Sequence, residues 1–189
     1  MITICTPTRD SVAAGFAYDL IGLTRYSPET IFTVSQGTYL SNLRTILVKT
    51  SLANHASHIL FIDSDMRFPP ETLSMLLKHD LDIVGANCVQ RTQKQFTARR
   101  DGQFVSSIDK KGIERVDTLG FGVTLIKAEV FRKMQEPWFH TPFDGEKHVG
   151  EDVYFSTMAG EAGFEIYIDH DLSQKIRHCG IVEFGMEGY

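Results

Sequence analysis

The sequence predicts an α/β protein: a three-layer α/β/α sandwich around a central, mostly parallel sheet. Three observations carry that expectation. Strand-like and helix-like stretches alternate from the first residue. Two short runs, Ile59–Ile62 (ILFI) and Asp82–Ala86 (DIVGA), have the largely unbroken hydrophobicity of strands covered on both faces. The composition, 42% hydrophobic and 23% charged over 189 residues, suits one globular domain spanning residues 1–189.

The elements follow in order. Met1–Thr6 (MITICT) is a β-branched strand ending at Pro7. Ser11–Thr24 suits a helix with Ser11 as its N-cap. Thr30–Ser35 is a second strand, and Asn42–Asn54 a second helix with Leu43, Ile46, Leu47 and Thr50 along one face. The ILFI strand comes next. A helix carrying Leu73, Leu76 and Leu77 opens after Pro69 and Pro70, followed by the DIVGA strand. Gln90–Arg115 is polar with weak periodicity and reads as loops and small strands. Phe121–Ile126 is a strand, Lys127–Met134 a helix and Glu136–Gly150 a loop. Glu151–Ala162 is a helix closed by Gly163, and Ile166–Ile168 a last strand.

Composition excludes several functions. The net charge of −5 is wrong for a non-specific nucleic-acid binder. No run of about 20 apolar residues offers a transmembrane segment, and the first residues lack the basic and apolar regions of a signal peptide. Cys5, Cys88 and Cys179 are an odd, widely spaced set, so we expect reduced thiols in a cytoplasmic protein rather than disulfides or a structural zinc site.

Four short segments carry candidate chemistry. The ILFI strand runs directly into Asp63-Ser64-Asp65. Alternation aims the two carboxylates to one side, and a divalent cation such as Mg²⁺ or Mn²⁺ relieves their repulsion; the bland alternative is a turn whose aspartates cap backbone amides. Glu151 and Asp152 open a helix after Gly150, where carboxylates are also favoured by the helix dipole alone. His178 follows the last strand, and a lone histidine is more often structural than a ligand. Thr6-Pro7-Thr8-Arg9 closes the first strand with hydroxyls and a cation.

Taken in this order along the chain, these segments resemble the GT-A glycosyltransferases. The likeness is nearest to small family-two-like enzymes of bacteria and large viruses, which would suit a bacterial, phage or viral origin. The resemblance implies a metal-dependent transfer of a sugar from a UDP- or GDP-type nucleotide-sugar to a carbohydrate or other hydroxyl acceptor. It implies that Thr6, Pro7, Arg9, Arg44, Asp63, Ser64 and Asp65 bind the donor, and that Asp63, Asp65 and His178 form the metal site for Mn²⁺ or Mg²⁺. Asp152, with Glu151 beside it, would be the general base of an inverting mechanism. Gly122, in Gly120-Phe121-Gly122, would lie beneath the acceptor and donor sugar. Trp138, in an aromatic loop, either stacks on the acceptor or anchors that loop in the core. The basic stretch of Arg91, Lys94, Arg99 and Arg100 is a solvated surface or a loop closing over the diphosphate.

Two other functions share parts of this pattern. A haloacid-dehalogenase-like phosphatase would use Asp63 as nucleophile and Asp65 as acid, but its D-x-D motif normally comes earlier in the chain. A non-catalytic nucleotide-sugar-binding module would keep both aspartates and dispense with a base.

Overall fold

A computed structural model describes residues 1–90 and 95–180. In chain order the elements are β1 (Ile2–Thr8), α1 (Ala14–Tyr26), β2 (Thr30–Gln36), α2 (Leu40–Ala53), β3 (His58–Ile62), β4 (Met66–Arg67), α3 (Thr72–Leu77) and β5 (Ile83–Gly85). There follow β6 (Arg99–Arg100), β7 (Gln103–Phe104), β8 (Ile113–Val116), β9 (Val123–Lys127), α4 (Ala128–Lys133), α5 (Glu151–Glu161), β10 (Ile166–Asp169), α6 (His170–Ser173) and β11 (Arg177–His178).

Seven strands form the central sheet in the order β2-β1-β3-β9-β5-β10-β8. β2, β1, β3, β5 and β10 run one way; β9 and β8 run the other. The sheet is therefore mostly parallel, as expected, but it holds an antiparallel strand near its middle. β9 lies between β3 and β5 and holds the end of the ILFI strand in register, Ile62 facing Val123.

Alternation along the strands divides the core. Cys5, Ile59 and Phe61 point to one face, packed with Leu47 and Val48 of α2 and Phe155 and Ala159 of α5. Ile4, Leu60 and Ile62 point to the other, packed with Phe16 and Leu23 of α1 and Leu73 and Leu76 of α3. The unbroken apolar run of β3 is thus explained: both of its faces are covered.

Three local expectations shift. β1 continues through Pro7 to Thr8. Its pairing with β3 ends at Cys5, so beyond that point it has one neighbour and a proline is tolerated. Ser11 is not the N-cap: α1 starts at Ala14, after Ala13, whose N–H donates to the Ser64 carbonyl at 3.0 Å. The strand expected from Phe121 begins at Val123. Gly163 does close α5, with a left-handed φ of 87°. All three cysteines are unpaired; Cys5 and Cys88 are buried and Cys179 is half-buried. Among the described residues no helix is long and apolar enough to cross a membrane.

Candidate functional site

The carboxyl ends of β1 and β3 border a cavity of about 380 Å³. Six of the residues singled out in the sequence line it: Pro7, Arg9, Asp63, Ser64, Asp65 and His178. Thr8, Gly37, Thr38, Leu40 and Leu43 complete the lining. Thr8 belongs to the candidate segment Thr6–Arg9; the sequence reading missed Gly37, Thr38, Leu40 and Leu43 as site residues, though Gly37 at the end of the TIFTVS strand is a signal for a chain turning beside a site. Ligands of open α/β sheets bind in this place, outside the carboxyl ends of the strands.

Backbone bonds fix the aspartate turn. The Asp63 N–H donates to the Gly122 carbonyl at 3.1 Å, and the Met66 N–H donates to the Asp63 carbonyl at 3.1 Å. The two-residue strand β4 then pairs with β11, placing Met66 opposite His178, while the Cys179 N–H donates to the Asp65 carbonyl at 2.8 Å. A residue late in the chain is thereby laid against the D-x-D turn.

His178 meets Asp65 with a defined polarity. Its Nδ1 lies 3.0 Å from the Val89 carbonyl, which only accepts, so Nδ1 carries a proton. Its Nε2 lies 3.2 Å from Asp65 Oδ2. In the neutral ring that nitrogen presents a lone pair to a carboxylate oxygen, an arrangement that calls for a proton or a cation. An imidazole whose other nitrogen is fixed by a backbone carbonyl is the usual form of a histidine ligand. Among the described residues no three His, Cys, Asp or Glu side chains are grouped to hold a metal. Two protein donors fit a site that takes its remaining oxygens from phosphate and water, as Mg²⁺ sites do; a nitrogen donor also suits Mn²⁺.

Arg44 changes the expected roles of three residues. It is 1% exposed and does not line the cavity, so its assignment to donor binding is corrected. Its Nη2 donates to Asp63 Oδ1 at 2.9 Å and its Nε to Glu151 Oε1 at 3.2 Å. Its guanidinium carbon sits 5.4 Å and 5.1 Å from the ring centroids of Phe61 and Phe121. Burial disfavours the Arg44 charge, but Asp63, Glu151 and Asp152 outweigh that and hold it protonated. Desolvation pushes Asp63 above the usual carboxylate range, with Arg44 pulling against it. The cation that compensates Asp63 is thus supplied by the protein, and Asp65 is the aspartate that meets His178. Glu151, expected beside the base, is tied into the same bridge.

Asp152 differs from its neighbour. Desolvation first, then the nearby Glu151 charge, push its carboxyl up from 3.8 to about 6. Its Oδ1 accepts from the Val153 N–H at 2.8 Å. A carboxylate tuned close to neutrality is suited to general-base work.

The structure corrects three further assignments. Thr6 is 0% exposed and does not line the cavity, with no hydrogen-bond partner for its hydroxyl. Gly122 is buried; its carbonyl holds Asp63, and a side chain there would come within 2.7 Å of Cys88 Sγ. It shapes the turn rather than offering a surface to an acceptor. Trp138 is 5% exposed, donates from Nε1 to the Met134 carbonyl at 3.2 Å and packs edge-on against Phe131. It anchors the loop in an aromatic core and cannot stack on a sugar. Arg91 and Lys94 lie outside the described residues; Arg99 covers the Phe104 ring and Arg100 is drawn towards Asp101 and Glu114, which makes that part of the basic stretch surface.

A second cavity, of about 350 Å³, adjoins the first and shares His178 as a wall. It is lined by Asn87, Cys88, Phe96, Ser107 and Gln174 among others, and of the four candidate segments only the one carrying His178 reaches it.

Comparison with known proteins gives a family match over part of the chain and structural matches to many solved chains. The family Anp1 matches residues 35–111, a stretch that contains Arg44 and the D-x-D turn but less than half of the chain. The crystal structure of A197 from STIV superposes with a TM-score of 0.66 at 15% identity, covering 99% of this chain and 100% of that one. No curated protein matches the sequence. The fold is accordingly a GT-A-like α/β/α sandwich.

Proposed function

We propose that this chain is a glycosyltransferase that moves a sugar from a nucleoside-diphosphate sugar to a hydroxyl acceptor, with metal dependence and inversion at the transferred carbon. The observation that carries the reading is the convergence of Asp65 and His178 on one cavity with Pro7, Thr8 and Arg9. The Anp1 match over residues 35–111, which include Asp65 but not Pro7, Thr8, Arg9 or His178, supports a glycosyltransferase class.

An acidic chain that receives an anionic diphosphate needs local positive charge at the site. Pro7 and Thr8 would border the nucleoside, with the exposed Arg9 at the mouth. Asp65 and His178 would hold Mn²⁺ or Mg²⁺, which when bound supplies charge to the departing diphosphate. Asp152 takes the proton from the acceptor hydroxyl as its oxygen bonds to the anomeric carbon and the bond to the diphosphate breaks. With its pKa near 6, Asp152 is ionised at neutral pH yet basic enough to serve. Arg44 fixes Asp63 on the donor side and Glu151 on the base side. The phosphatase reading needs Asp63 as a free nucleophile, whereas its Oδ1 is engaged by Arg44.

Calorimetry with UDP and GDP, with and without Mn²⁺, followed by a transfer assay and NMR of the product anomer, tests the proposal. Metal-dependent binding with turnover to an inverted product is expected. Tight nucleotide binding with neither transfer nor donor hydrolysis would identify a binding module instead, and a trapped phospho-aspartate at Asp63 would establish the phosphatase.

A further inference from the structure

The two edges of the central sheet are unlike. At one edge β8 is four residues long and carries Glu114 and Arg115, paired with Lys110 and Glu165. Charges of this kind guard an edge against pairing with another chain. At the other edge β2 reads Thr30-Ile31-Phe32-Thr33-Val34-Ser35-Gln36, with no charge, proline or glycine. Its inner side pairs with β1 along its whole length, and among the described residues no strand pairs with its outer side. Ile31, Phe32 and Val34 are 43%, 39% and 51% exposed. Register places Phe32 on the α1 face of the sheet and Thr33 on the α2 face, so Val34 joins Phe32 and Ile31 joins Thr33. Exposed Tyr26, at the end of α1, and exposed Ile46, on α2, add apolar surface on the two sides.

We propose that β2 pairs antiparallel with β2 of a second copy of this chain, joining two sheets into one across a two-fold axis. The occupant is argued from the strand's own self-complementarity. In the register centred on Thr33, Thr33 faces Thr33, Phe32 faces Val34 in both directions, Ile31 faces Ser35 and Thr30 faces Gln36. Thr–Thr and aromatic–β-branched pairs are the favourable cross-strand combinations. Glu29, the charge nearest the strand, falls opposite Gly37 and not opposite its own copy. The pairing therefore brings no like charges into register. The contact is isologous and closed, so it ends at a dimer. It does not depend on the proposed reaction: the cavity is reached only at Gly37 and Thr38, past the end of the strand.

Sedimentation velocity of the full chain over a wide concentration range tests the proposal, with hydrogen exchange of residues 30–36 followed in parallel. A dimer fraction that grows with concentration, with β2 amides exchanging more slowly as it grows, is expected. Val34→Lys, at an exposed position, should give a monomer with an unchanged circular dichroism spectrum. A wild-type chain that stays monomeric with concentration-independent β2 exchange would overturn the proposal. So would a folded Val34→Lys variant that dimerises as strongly as the wild type.

Discussion

Two acidic pairs lie near this site, and the chain treats them in parallel ways. Asp63 and Asp65 end a strand; Glu151 and Asp152 begin a helix. In each pair the first carboxylate is bound to the same buried Arg44. The second is left for other work: Asp65 meets His178, and Asp152 stays desolvated with its pKa raised to about 6. One cation between two carboxylates relieves each from facing an apolar interior alone. The difference between the pairs lies in what the second member needs. The strand pair exposes a charge to a cavity, whereas the helix pair keeps one half-buried. Acidic doublets of similar appearance in sequence are thus divided into a member bonded to Arg44 and a member with other partners.

The largest expected effect separates the two members of the helix pair. Asp152→Asn should lower kcat by ~10²–10⁴-fold while leaving calorimetric nucleotide affinity unchanged, since it removes a base and not a binding contact. Unaltered kcat would end its assignment as the base. Arg44→Met tests the shared anchor: it strands two partly buried carboxylates without their cation and should destabilise the chain by about 3–5 kcal/mol in urea unfolding. A small loss would mean that the pairs are held independently.

In the strand pair, Asp65→Ala should weaken Mn²⁺-dependent nucleotide binding by at least ~10–100-fold, the effect of losing even an outer partner of a metal. Unchanged Mn²⁺ dependence would remove Asp65 from the metal site. A subtler effect concerns stability. The folded pKa of Asp152 lies above its unfolded value of 3.8, so the folded state binds more protons between 3.8 and about 6. The charged carboxylate therefore weakens the fold above about pH 6, and that penalty is relieved as pH falls towards 4. Asp152→Asn should raise the melting temperature at pH 7.5, with the gain shrinking towards pH 4. The smallest effect is expected at Arg9, whose side chain is 79% exposed: Arg9→Ala should weaken nucleotide binding by less than about 1 kcal/mol, and high salt should mask the loss.

What the sequence made legible was local. The apolar run of β3 ending in two aspartates announced both the buried strand and the turn, because burial and charge are written side by side there. The meeting of His178 with that turn was legible only through family likeness; nothing in the residues themselves encodes the pairing of β4 with β11. Arg44 was singled out for the wrong task, since its two partners come from distant parts of the chain and burial is a property of the assembled layers. Trp138 posed an ambiguity that residue type does not resolve, because an aromatic loop reads alike whether it faces sugar or core. The reversed direction of β9 was hidden for a related reason: a doubly covered strand looks the same run either way.

The pairing that delivers His178 is only two residues long, and its first rung sets Arg177 opposite Arg67, with Asp19 bound to Arg67. So slight a ladder can part while the seven-stranded sheet stays whole. Its opening would withdraw the imidazole from Asp65, so the contact between these two side chains hangs on a short stretch of backbone.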